Sequence, residues 1–104
     1  MSKRMQEYRK ELKLLENCNS SSKTALLKHG HGNLIRAVVD AIWTTLEGKL
    51  PLSPDHLSIV RKNKSTLQRI ASKNRTIHQR RQLLCTRTGG NAAIDLIKIV
   101  NQYF

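Results

Sequence analysis

With 104 residues, 38% of them hydrophobic and only 4% aromatic, the chain suits one modest core of Leu, Ile and Val. Nineteen Lys and Arg against seven Asp and Glu leave a net charge of +12, a self-repulsion that points to a polyanionic partner. No stretch approaches the roughly 20 apolar residues of a membrane span, no signal-peptide pattern opens the chain, and the alternating runs of a β-protein are absent.

Residues 3–17 read as a first helix, with Met5, Tyr8, Leu12 and Leu15 at spacings of three and four. Glu7 and Glu11 can pair with neighbouring Arg and Lys on its exposed side. So narrow a stripe leaves residues 1–20 open to loose attachment within a single domain spanning 1–104. A polar break from Asn17 to Ser22 offers a serine cap to a short helix, Lys23 to Lys28, stopping at Gly30.

Residues 33–47 form the clearest element. Leu34, Ile35, Val38, Val39, Ile42, Trp43 and Leu46 share one wide face, opposite Arg36, Asp40 and Glu47. Gly48 follows where a left-handed C-terminal residue is expected. Trp43 is expected to pack rather than to stack on a ligand. After the linker Lys49 to Pro54, Ser53 as N-cap and Pro54 at the first helical position restart the chain. That helix is expected to run to about Ser72, with a bend near Asn63. Leu57, Val60, Leu67, Ile70 and Ala71 face inward; Lys62, Arg69 and Lys73 make an exposed basic stripe.

Thr76 and Gln79 have capping-box spacing and open the next helix, in which Ile77, Leu83 and Leu84 look inward. Arg80, Arg81 and Arg87 flank its apolar side. Gly89-Gly90 is expected to end this helix and Asn91 to cap a last one, built on Ala93, Ile94, Leu96, Ile97 and Val100 and finishing at Tyr103 and Phe104. The sum is an all-α compact bundle of five or six helices.

From His56 to Ile94 there is no acid after Asp55 and none before Asp95, and between Arg61 and Arg87 lie nine Lys or Arg. Like charges at that density gain nothing from each other, so an external anion is expected to neutralise them. The candidate contacts are Lys62, Lys64, Arg69, Lys73, Arg75, Arg80, Arg81 and Arg87. The plain alternative is a solvated surface whose long cationic side chains cover the core. The break at Lys73-Asn74-Arg75 invites comparison with a helix-turn-helix, but the glycine-containing turn is missing, which favours phosphate contact over base readout. Gly89-Gly90 could cradle an anion or simply reverse the chain.

His29, His31, Cys18 and Cys85 lack the close pairs of a structural zinc site, so no metal is expected, and both cysteines are read as reduced, small, buried residues. The acids are scattered and neither cysteine has a nucleophile's surroundings, so neither an enzyme nor a cofactor is expected.

Leu50-Pro51-Leu52-Ser53-Pro54, Lys64-Ser65-Thr66-Leu67-Gln68-Arg69-Ile70-Ala71, Arg80-Arg81-Gln82-Leu83-Leu84 and Gly89-Gly90 together resemble a group of small basic proteins encoded by Maverick/Polinton-type DNA elements and their adintovirus relatives. The likeness covers most of residues 15–92. It implies a virus-derived, minor virion or core component associated with packaged DNA, in the nucleus or the virion. Relatives often continue past the glycine pair into a longer apolar, glycine-rich tail, whereas Asn91 to Phe104 is short and helical in pattern.

The functional expectation is an intracellular accessory protein that contacts nucleic acid, DNA ahead of RNA, with little sequence preference. The competing expectation is a helical assembly module: a homo-oligomer, or a partner of a capsid or host protein, docking through the apolar last helix or the stripe of the first. Binding at an anionic membrane surface ranks third, because the basic and apolar faces do not form one long amphipathic helix.

Overall fold

A computed structural model describes residues 2–103, and the described chain is helical with no strand. Seven helices follow in order: α1 Lys3–Glu7, α2 Arg9–Asn17, α3 Ser20–His29, α4 Gly32–Leu46, α5 Pro54–Ala71, α6 Ile77–Leu84 and α7 Arg87–Asn101. The expected count of five or six rises to seven because the first helix is interrupted at Tyr8, whose backbone (φ −103°, ψ 20°) leaves the helical range. That interruption sends α1 against α4 and α2 against α7.

Most starts are fixed by local chemistry. Ser2, Asn19, Ser53, Thr76 and Thr86 each accept a hydrogen bond from the backbone N–H three residues on, satisfying a donor that has no partner inside its helix. The Thr76–Gln79 capping box is closed in both directions, and Pro54 stands in the first turn of α5. Gly48 takes the left-handed φ of 73° expected of it. The α5 helix runs unbroken through Asn63.

Two boundaries differ from expectation. Asn19, rather than a serine, caps α3, which begins at Ser20. Gly89 and Gly90 do not end a helix; they lie in the first turn of α7, which Thr86 caps, while α6 has already stopped at Leu84. Close approach explains the glycines. A Cβ on Gly89 would run into the Leu83 carbonyl oxygen, and one on Gly90 would lie 2.8 Å from that of Leu84. The pair lets α7 cross directly over the carbonyl end of α6.

The central helices are α4 and α7, each buried over most of its surface. Ile35, Val38 and Ile42 of α4 and Ala93, Leu96 and Ile97 of α7 join one contiguous apolar cluster. Each fully buried Ile, Leu or Val side chain contributes about 2 kcal/mol. From the opening segment, expected to attach loosely, Met5, Leu12 and Leu15 are buried in the same cluster. Polar ties add to the packing. Arg4 pairs with Asp40 at 3.3 Å, Asn101 Nδ2 donates to Glu16 Oε1 at 3.0 Å, and Trp43 Nε1 donates to the Ala71 carbonyl at 3.0 Å. The apolar faces of the first and last helices, which a docking partner could have used, are therefore internal.

Leu57, expected inside, is exposed at the rim. Cys85 is exposed and Cys18 half-buried, so the two are not the buried pair that was expected; both are free thiols. Among the described residues no helix is long and apolar enough to cross a membrane. Tyr103 lies just beyond α7, and the expected helical finish at Phe104 falls outside the described residues.

Candidate nucleic-acid interface

The eight basic residues singled out above separate by burial into two sets. Arg75, Arg80 and Arg81 are half-buried, whereas Lys62, Lys64, Arg69, Lys73 and Arg87 are exposed. The half-buried set faces inward onto helix ends. Arg75 Nε donates to the Arg69 carbonyl at 2.5 Å and Arg80 Nη2 to the Ser72 carbonyl at 3.0 Å, both at the end of α5. Arg81 reaches across to α3, donating to the carbonyls of Leu27 at 3.3 Å and Gly30 at 2.5 Å. The last carbonyls of a helix lack internal partners and carry its negative dipole end, so a guanidinium there is stabilising.

Arg80 sits under strain of another kind. Burial pushes its pKa below the ordinary arginine value, nearby Arg36 pushes it the same way, and Asp40 partly offsets both. Its Nε is buried with no hydrogen-bond partner. Its remaining capacity is thus partly shut away from any external anion.

Among the described residues, the side chains of the exposed set make no hydrogen bond or ion pair. Their placement follows from the pairing of α5 with α7, which run antiparallel. At one end His56 meets Tyr103, the imidazole and phenol 3.2 Å apart; at the other Thr66 and Arg69 lie beside Arg87 and Gly89. Thr66, Arg69, Leu83 and Arg87 line a cleft of about 320 Å³. Further along the same helix pair, Lys62, Asn63, Lys98 and Ile99 line a second cleft of about 240 Å³. Lys62, Arg69, Arg87 and Lys98 therefore border one strip of surface, with Asp95 as the acid on its α7 side.

Lys64 is elsewhere, on the flank of α5 beside Leu50 and Leu52. Lys73 is exposed but leaves the expected stripe, because α5 ends at Ala71 and Lys73 falls in the following turn. Lys98 and Lys23 lay outside the sequence expectation. Lys23 of α3 lines a further cleft of about 270 Å³ with Arg87, Asn91 and Lys98. Periodicity could have found Lys98: from Arg87 the positions 91, 95 and 98 recur on one helical face, provided Thr86 is taken as the cap and Arg87 as the first helical residue. Among the described residues no group of three His, Cys, Asp or Glu could hold a metal ion.

No family model, no curated protein and no solved structure matches the chain.

Proposed function

We propose that the protein binds nucleic acid through the phosphate backbone, using the α5/α7 face and with little preference for base sequence. The observation that carries this reading is the set of four exposed cations, Lys62, Arg69, Arg87 and Lys98, whose side chains are unpaired among the described residues and aligned along two packed helices of a protein with net charge +12. Neutralising them releases counterions from the polyanion, a sequence-independent source of affinity. Base readout has less support, because α6 commits Arg80, Arg81 and Leu84 to internal contacts and is only 8 residues long. The resemblance to proteins of Maverick/Polinton-type elements extends the proposal to a non-enzymatic component packaged with DNA.

The test is a salt titration of DNA affinity by fluorescence anisotropy. Four phosphate contacts give a log–log slope of about −3.6, or roughly a 150-fold loss between about 50 and 200 mM salt. Reversing Arg69 and Arg87 to Glu should flatten that slope and weaken every DNA sequence alike. Absence of binding near physiological salt, or a slope indifferent to both reversals, refutes the proposal.

A further inference from the structure

Resting on the phosphate-binding reading, we infer that the α5/α7 face grips double-stranded DNA, one helix on each of the two strands that border a groove, and discriminates against single strands. The cations form two rows rather than one. Lys62 and Arg69 lie seven positions apart on α5, about 10 Å at 1.5 Å per residue. Arg87 and Lys98 lie eleven apart on α7, about 16 Å by the same measure. Packed helix axes stand about 8–10 Å apart. That separation is wider than the roughly 6 Å minor groove of B-form DNA, and long Lys and Arg side chains extending outward from the two axes widen the span toward the roughly 12 Å major groove. Between the rows the clefts are lined mainly by uncharged side chains, among them Asn63, Thr66, Ile70 and Ile99, with Asp95 as the acid in the second cleft. Two phosphate rows with a gap between them match this pattern, whereas a single backbone can follow only one row.

The aromatic residues support the same choice. Single-strand binders stack bases on exposed rings beside a basic track. Here Tyr8 is stacked against His31, Trp43 is half-buried with its indole N–H bonded to Ala71, and the Tyr103 hydroxyl donates to the Pro51 carbonyl. Among the described residues no Phe, Tyr or Trp lines either α5/α7 cleft. The His56 imidazole borders the second cleft but is held edge-on to Tyr103, so the face offers phosphate contacts without an open stacking platform.

The experiment compares one labelled duplex, each of its separated strands and heparin by anisotropy at fixed salt, using the full chain. Lys62→Glu tests the α5 row, and Lys98→Glu and Asp95→Asn test the α7 row; all three side chains are exposed, and circular dichroism verifies the fold of each variant. The duplex should bind at least about tenfold tighter than either strand, and each Lys reversal should weaken it about tenfold, near the contribution of one phosphate contact. Asp95→Asn should tighten it. Single strands bound as well as the duplex overturn this inference and leave the phosphate reading standing. A Lys98→Glu variant with full duplex affinity overturns the two-row grip in the same way. Binding of neither DNA form overturns both, and so does binding of heparin alone.

Discussion

Replacing Arg81 with Met keeps a long aliphatic stem beside α3 and removes the two donors to the Leu27 and Gly30 carbonyls. A hydrogen bond from a charged donor contributes about 1.5–3 kcal/mol, and the half-exposed position and the long 3.3 Å partner place this pair near the lower end. With about 0.5 kcal/mol from the helix dipole, the expected loss is about 2 kcal/mol. For a domain of this size that lowers Tm by about 8 °C, read by far-UV circular dichroism. Arg81→Lys keeps the charge without the planar fork and should recover only part of the loss. Below its melting range the Met variant should bind DNA as the parent does, because Arg81 faces the end of α3 and not the α5/α7 strip. An unchanged Tm together with weakened DNA binding would show that Arg81 is a phosphate ligand and that its contacts to α3 contribute little.

Glycines give a contrasting pair. Gly89→Ala forces a Cβ onto the Leu83 carbonyl and should cost about 3 kcal/mol or prevent folding. At Gly32 a Cβ would meet nothing nearer than Arg36 Nη1 at 3.8 Å, so Gly32→Ala should stabilise by about 0.5 kcal/mol in urea unfolding. Thr76→Ala opens the capping box of α6 and should cost about 1 kcal/mol by the same measurement. Trp43→Phe keeps most of the ring in place but leaves the Ala71 carbonyl without its donor, a loss of about 1 kcal/mol at equilibrium.

Much of the fold could be read locally, because caps are local. Ser53 with Pro54, Thr76 with Gln79, and Gly48 each announce a helix boundary through side chains within a few residues. The glycine pair misled for a physical reason. Glycine costs about 1 kcal/mol in a helix interior, so two in a row read as a stop. What reverses that reading is the Thr86 cap together with the closeness of the Leu83 and Leu84 carbonyls, which spacing alone does not show. The consequence spread to the site. With α7 started at Asn91, Arg87 belonged to the preceding helix and Lys98 had no basic neighbour on its face.

The arginines posed a different difficulty. Spacing placed Arg80 and Arg81 at the edge of the core, which is where they lie, yet could not say what they meet there. The partners of Arg81 are carbonyls 51 and 54 positions away, at the end of a helix whose own start was misplaced. Lys62 and Arg69 could be placed on an exposed face because they stand on a long regular helix, where spacing alone sets the face.

The hydrogen bond from Trp43 to Ala71 also has an optical consequence. Trp43 is the sole indole in the chain, and its N–H is fixed to the last residue of α5, two positions from Arg69. Its emission therefore reports the seating of that helix end without any attached dye. A spectral shift on adding unlabelled DNA would register strain carried from the basic face to the core, and an unmoved spectrum would describe a platform that receives its ligand rigidly.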